Sequence, residues 1–578
     1  MKYNKISRSL SRSLKKIVGK DFFFDDFTTR WTYGFGGTIF RKDWIPDLIL
    51  MPHSTREVSQ IMRLANKNNL AVTARGSGTS LSGGPLTPFG GIVIDLSDMN
   101  NIINIDIGNN IVEVEAGVIC DDLNEELKHH NYFFPPDPGS SSVCTIGGMV
   151  ATNAGGIQAF KYGVTKDYVL FLKCVLADGK IVELGSKVLK SVSSYNIKDL
   201  LVGSEGTLGV ITKIGLRIKP LPKHRKLGFY LFESIEDLAK SVVNLRTSGL
   251  VPILLEFLDK TTTKTVFEYL GGEFNDFPKG YLLLADLETG HNSVVDSSFD
   301  TLHQIILNNN PILARIAENE EERDKLINAR KAALPALTRL SPSYCLEDCT
   351  INMSSFAEVI NKIEKIPFVL KIPNIKIATF GHMEGNIHPT FLFNENNPRD
   401  VIDFEKAIDY LYEEIVIPAG GTVTGEHGIG KIKTPYLLLE KDESVINTMV
   451  KIKKLFDPKE ILNPGIGKGQ KEMFKGKLSH RKLKNQPEKI LALNCMRCGF
   501  CGPLCVSKKQ YRSEAFSPRG RLSILNGIVY GDVEVNEFTI KILHACTLCG
   551  QCLTSCPANV PTFHIFEKAR EIIHDSSN

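Results

Sequence analysis

Three features of the amino-acid sequence predict an α+β chain of several domains that closes with a small helical tail. The first is length: 578 residues are too many for one hydrophobic core and should divide into three or four domains. The second is texture. Short β-rich runs alternate with glycine-dense loops up to about residue 220, and longer helical patterns mix with strands beyond it. The third is the placement of cysteine. Eight of thirteen cysteines stand after residue 494 in two tight groups and the other five are scattered singly. That distribution speaks for metal ligation in a reducing compartment and against disulfides.

In chain order, residues 1–47 read as a helix followed by an irregular, aromatic-rich lead-in. The first twenty residues are basic and serine-rich without the apolar core of a secretory signal. They suit an organellar transit peptide or an amphipathic surface helix with Ile6, Leu10, Leu14 and Ile17 on one face. Residues 48–220 form the next domain, with strands expected at 92–96, 111–118 and 209–218 and helices at 55–69 and 121–130. Residues 221–465 form a further α+β domain closed by Pro464-Gly465. A polar, lysine-rich linker, 466–489, lacks the interleaved aromatics of a nucleic-acid surface and reads as a solvated hinge. The tail, 490–578, is too short to make a stable core without metal.

Composition narrows the function classes. Hydrophobic residues at 42% and charged residues at 23% are the balance of a soluble globular protein. A net charge of +4 gives no argument for nucleic acid, and no apolar run approaches the roughly 18 residues of a membrane span. A cytoplasmic protein is expected, compatible with peripheral attachment to the inner face of the membrane.

The first cysteine group is Cys495, Cys498, Cys501 and Cys505; the second is Cys546, Cys549, Cys552 and Cys556, followed by Pro557. Two-residue gaps let three thiolates point into one concavity, and the fourth cysteine, after a longer gap, reaches across to the other cubane in two-cluster proteins. Zinc ribbons would use paired cysteines without a third and fourth at these spacings. The first group has Val506 where the second has proline, a difference in the exit turn and not in the ligands. Arg519 and Arg521 either offset the clusters' negative charge or are ordinary surface arginines. Two 4Fe–4S clusters carry single electrons and do no substrate chemistry unaided, so a two-electron collector is required upstream. Flavin meets that requirement.

Four segments suit a flavin nucleotide. The loop Arg75, Gly76, Ser77, Gly78, Thr79 and Ser80 follows a strand-like run and offers closely spaced N–H groups and hydroxyls to a pyrophosphate. Its spacing is not the Rossmann G-x-G-x-x-G. A rigid loop contains Pro136 and Asp137. A third segment, with Thr145, Gly147, Gly148, Asn153 and Gly155, bunches small residues where backbone can pass close to a ligand. Glu205, Gly206 and Ile211 belong to a fourth, just ahead of and within a strand. Beyond residue 221 stand two histidine constellations, Gly381-His382-Met383-Glu384-Gly385-Asn386-Ile387-His388 and Gly425-Glu426-His427-Gly428. Two imidazoles and a carboxylate make a divalent-metal set suited to zinc, manganese or iron(II), although a histidine beside glycine is also a common structural feature.

In this order the four loops resemble the flavin domain of the vanillyl-alcohol oxidase / para-cresol methylhydroxylase superfamily. The resemblance implies FAD cradled by 48–220, with its pyrophosphate on 75–80 and 145–148. Thr79 stands where some relatives attach flavin to histidine, which implies non-covalent FAD. Residues 221–465 resemble the FAD-linked D-2-hydroxyacid dehydrogenases, among them D-lactate dehydrogenase and the glycolate oxidase flavin subunit. The matching residues are 381–388, Gly425–Gly430, Phe456-Asp457-Pro458 and Ile461–Gly465. That resemblance implies His382, His388 and Glu426 as metal ligands, His427 as general base, and Arg330 as the clamp on a substrate carboxylate. The spacing departs from the family in one place: five residues separate His382 and His388 where the family has six, and Glu384 in this turn is a further candidate ligand. The tail resembles the N-terminal half of the glycolate oxidase iron–sulfur subunit, a ferredoxin-like α-helical domain. The expected activity is oxidation of a small D-2-hydroxy acid, with electrons leaving to a quinone, an electron-transfer flavoprotein or a cysteine-rich partner subunit. The alternative is an electron-transfer subunit with a degenerate substrate pocket.

Overall fold

The computed structural model describes residues 3–37, 44–467 and 495–576, so most of the basic linker lies outside the described residues. Helix Arg8–Val18 begins where the Ser7 side chain accepts from Leu10 N–H, and it buries Leu10, Leu14 and Val18. That face packs on the core of the unit it precedes, as an amphipathic surface helix does.

This unit holds two sheets around one core. The mixed sheet runs Phe23–Phe24, Leu48–Leu50, Ile92–Asp95, Val72–Arg75, with the last three strands parallel. The antiparallel sheet runs Ile102–Asp106, Ile111–Glu115, Val210–Arg217, Val169–Val175, Ile181–Gly185. Helices occupy Thr55–Lys67 and Cys120–Lys128. The strand expected over 111–118 stops at Glu115 because the chain must then pass Leu96 and Met99 closely. A Cβ on Gly117 would lie 2.3 Å from the Leu96 carbonyl oxygen. The closing segment returns to this unit: Val72 N–H donates to Ile461 O and Asn463 N–H to Val72 O, extending the mixed sheet.

The next unit is an antiparallel sheet in the order Leu313–Ile316, His224–Phe232, Tyr281–Thr289, Leu254–Leu258, Lys376–His382, Asn386–Phe393, Ser343–Leu346. Strand Cys349–Thr350 pairs beside the last but one. Both faces are covered, so every residue of Tyr281–Thr289 but the last is buried. Alternation divides the side chains. Tyr230, Phe232, Leu283 and Phe391 enter a core with helices Ile235–Thr247, Asn292–Leu307 and Phe356–Val369. Phe229, Leu231, Leu254, Leu258, Leu284 and Phe380 enter another, against which Leu81 and Ile157 of the first unit pack. The second face therefore looks toward the glycine loops.

The tail has a small core of its own, built on Leu522, Leu525, Leu543, Val560, Ile565, Phe566 and Ala569. It gains a larger one from the lead-in, where Trp31 and Phe35 pack with Phe516, Ile524, Val533 and Ile542. Trp31 Nε1 donates to Ser523 O at 2.9 Å. Helix Pro518–Tyr530 comes this close because residue 527 is glycine; a Cβ there would sit 2.9 Å from Trp31 Nε1. Trp31→Ala should destabilise this junction by about 3–5 kcal/mol. The check is the unfolding midpoint in denaturant, and an unchanged midpoint would show that Trp31 is not the tie.

Candidate active site

A cavity of about 970 Å³ opens between the glycine loops and the second face of the large sheet. Its size lies at the upper end of the roughly 300–1,000 Å³ of ligand pockets. Residues 75–80 line one wall, and among the described residues none of the backbone N–H groups of 76–80 donates to an acceptor of the chain. Five N–H groups left free along one loop suit a pyrophosphate. Loop 75–80 lies directly on Thr145, since a Cβ on Gly76 would meet Thr145 Oγ1 at 2.2 Å. Thr145 in turn caps helix Ile146–Thr152 by accepting from Gly148 N–H. Asp137, Thr145, Gly147, Gly148, Gly155, Glu205, Gly206 and Ile211 all line the cavity. Pro136 and Asn153 do not. The Pro136 carbonyl faces Cys120, and Asn153 closes a helix in the left-handed region while its side chain accepts from Lys166 N–H. Arg75 reaches the cavity wall, but its guanidinium donates to the carbonyls of Tyr33 and Phe35 and lies over the Tyr33 ring.

Across the cavity, strand alternation and register assemble a polar cluster. Glu256 sits between Leu254 and Leu258 on the second face and pairs with His382. Phe380 stands opposite His388, so His382 and His388 project to the same side. The two strands are joined by Met383–Gly385, with Gly385 at φ +112. His382 Nε2 lies 3.1 Å and His388 Nε2 3.3 Å from Glu426 Oε1, with His427 Nε2 at 3.9 Å. Two ligands each about 2.1 Å from one ion, and about 90–110° apart, stand about 3.0–3.4 Å from each other. A donor group that could hold a divalent ion is Asp348, His388, Glu426 and His427, whose ligand atoms all lie within 4.8 Å of one another, and His382 adjoins it through Glu426 Oε1. Glu384 is not in this group: its carboxyl is buried at the turn, pushed up to about 7 by burial, with Oε2 unpartnered.

Burial opposes charge on His382, but Glu256 and Glu426 outweigh it and hold the imidazole well above its usual range. Burial, with His427 and His382, pulls His388 down to about 4 against the bond from Glu426. Glu256 links two of the expected site residues, since Oε1 meets His382 Nδ1 and Oε2 accepts from Arg330 Nε, both at 2.5 Å. Arg330, at the end of helix Glu320–Lys331, lies over the Phe380 ring and lines the cavity. Its two Nη nitrogens donate to no acceptor among the described residues.

Sequence reasoning missed Asp348 and Glu256. Asp348 clusters with His388, Glu426 and His427, and its Oδ2 accepts from the N–H groups of Gly425, Glu426 and His427 and from Thr424 Oγ1. For Glu256 the available signal was a carboxylate inside the otherwise apolar run 253–258, since burying such a group demands a partner; Asp348, beside Glu347 and between two short strands, carried no such signal.

In the tail, Cys495, Cys498 and Cys501 influence one another and Cys556. Cys505, Cys546, Cys549 and Cys552 line a separate cavity of about 20 Å³. The fourth cysteine of each motif thus crosses to the other set. Burial, with Cys495 and Cys556, pushes the Cys498 thiol up to about 12, so iron must displace a proton there. Arg519 and Arg521 are both buried and not surface residues.

Fold and site together define a flavin oxidoreductase of the vanillyl-alcohol-oxidase type with an attached iron–sulfur domain. The fold is shared with p-cresol methylhydroxylase (TM-score 0.67, 14% identity, 79% of this chain and 96% of that one). It is shared equally with the 4-ethylphenol oxidase of Gulosibacter chungangensis (TM-score 0.66, 16% identity, 81% and 98%). Residues 46–185 match the FAD binding domain, 221–466 the C-terminal domain of FAD linked oxidases, and 491–560 the 4Fe-4S dicluster domain. The glycolate oxidase subunit GlcD of Bacillus subtilis is 35% identical over 461 residues, 80% of this chain and 97% of that protein. A D-lactate dehydrogenase of Anaerostipes hadrus is 31% identical over 483 residues, 80% and 98%. The chain belongs to this glycolate oxidase / D-lactate dehydrogenase family of FAD-linked oxidoreductases.

Proposed function

We propose that the chain oxidises a small D-2-hydroxy acid, D-lactate or glycolate, to the 2-oxo acid and passes the electrons singly through its two clusters. The observation that carries this reading is the convergence of His382, His388 and His427 on one oxygen of Glu426, inside the cavity that the glycine loops line. The Nη groups of Arg330 bind the substrate carboxylate in a fork, with Glu256 holding the guanidinium plane through Nε. His382, His388 and Glu426 would hold a divalent ion, which when bound would lower the pKa of the substrate hydroxyl. His427 takes the hydroxyl proton at Nε2, the nitrogen on the Glu426 side of its ring, while Nδ1 faces Asp348. FAD held in this cavity would supply the acceptor for the α-hydrogen as hydride.

The test is flavin bleaching by a panel of D-2-hydroxy acids on protein purified anaerobically. Bleaching by D-lactate or glycolate and not by L-lactate is expected. Silence toward every acid would leave an electron-transfer subunit. Dialysis against a chelator should abolish substrate bleaching without loss of flavin absorbance, and added zinc, manganese or iron(II) should restore it; bleaching that survives complete metal removal refutes the ion's role. Thr79 lines the cavity where a histidine would be needed for attachment, so denaturation should release all the flavin into the supernatant. Flavin that stays with the precipitated chain would show a covalent link.

A further inference from the structure

We propose that the cluster held by Cys495, Cys498, Cys501 and Cys556 takes the electrons from the flavin, and that the one held by Cys505, Cys546, Cys549 and Cys552 passes them out of the protein. This rests on the reading that the large cavity holds FAD and the tail two clusters, and it adds their order. Cys498, with Met496, Phe500 and Pro557 beside the cysteines of the same set, lines the large cavity. No cysteine of the other set does. Three bonds hold this part of the tail against the cavity wall. Tyr344 donates to Met496 O at 3.2 Å, Tyr269 to Pro557 O at 2.9 Å, and Arg519 Nη2 to Ser77 O, within the glycine loop, at 3.0 Å. The second set opens elsewhere, and Cys549 is exposed to solvent. Transfer between redox centres falls steeply with distance, so the set that shares the flavin's cavity receives first.

The arginines are divided in the same way. Arg519 Nη1 donates to Arg497 O and lies against Gly499, within the first cysteine loop, whereas Arg521 Nη1 lies 3.9 Å from Cys505 Sγ. The electrons balance within one molecule. A reduced flavin gives up two electrons and releases its protons to solvent. The first cluster takes one electron, passes it to the second, and takes the other, so each cluster ends one electron richer and the flavin is oxidised.

The experiment uses the anaerobic holoprotein and reduces the bound flavin by light with a sacrificial amine donor, so no hydroxy acid is involved. In Cys549→Ala, the remaining cluster's paramagnetic signal should grow as the flavin reoxidises. In Cys498→Ala, the flavin should bleach and stay bleached, with no cluster signal in the same interval, although dithionite brings one up. A prompt light-driven signal in Cys498→Ala overturns the order. If a cysteine variant loses both clusters, Arg519→Lys and Arg521→Lys label the signals by shifting one midpoint potential each. The signal moved by Arg519→Lys must then appear before the one moved by Arg521→Lys, and the reverse sequence overturns the proposal. A protein that shows this order but is bleached by no hydroxy acid would refute the substrate assignment alone.

Discussion

Exchange of His427 for alanine should slow substrate-driven bleaching of the flavin by roughly 100-fold or more, the usual contribution of a positioned general base. FAD and the divalent ion should remain. The ring is mostly buried, lines the cavity and stacks on His388 at 5.0 Å between centroids, 12° from parallel. The backbone of residue 427 is held independently of that ring: its N–H donates to Asp348 Oδ2 and its carbonyl accepts from Ser82 Oγ. The variant therefore keeps the loop in place and removes only the imidazole. Metal content separates base from ligand. If the ion leaves with the ring, His427 belongs to the coordination sphere, and if bleaching continues at the native rate it is not the base.

Loss of the Asp348 carboxylate should be costlier for the fold. Asp348→Ala leaves three part-buried N–H groups of the Gly425–His427 loop and the Thr424 hydroxyl without their common acceptor, and removes one of the carboxylates that offset the buried Lys433 ammonium, which keeps Glu347 and the carbonyls of residues 348 and 423. Breaking a buried charge arrangement in this way costs about 3–5 kcal/mol. Because the same loop carries Glu426 and His427, metal retention and bleaching should fall together with the denaturant midpoint. Asp348→Asn, which keeps one acceptor oxygen, should fall between the two. Burial opposes the Asp348 charge, but His427, Lys433 and His388 outweigh it and hold the carboxyl well below the usual range. Its folded-state pKa is thus depressed. The stabilisation is fully present above the unfolded value of about 4 and fades as pH falls toward the lower folded value. The stability gap between native protein and Asp348→Ala should be constant at neutral pH and narrow only in acid. An alanine variant as stable as the native protein would mean that the loop is anchored elsewhere.

The parts of the site legible in the sequence are those whose chemistry is local. Cysteines two residues apart can address one iron corner wherever the segment lies, and glycines at 76, 78, 147 and 148 mark close backbone approach whatever approaches. The histidine motif was legible as a donor set. The partners of those donors were not. Glu256 reaches His382 from a strand 126 residues away in sequence, and the direction of its carboxylate follows from which strand lies next to which. Tertiary packing decided equally that Trp31, in a lead-in without pattern, would complete the core of a tail nearly five hundred residues later.

By itself the sequence determined an α+β oxidoreductase with glycine-loop flavin chemistry and a two-cluster tail, because ligand spacing and strand alternation are short-range properties written within a few residues. Only the tertiary structure decided that one carboxylate, Glu256, binds both the Arg330 guanidinium and the His382 imidazole, and that the cavity is shared with the first cysteine set. These are contacts between distant segments. Their free energy comes from desolvation and register when whole sheets dock, and no local window of residues contains it.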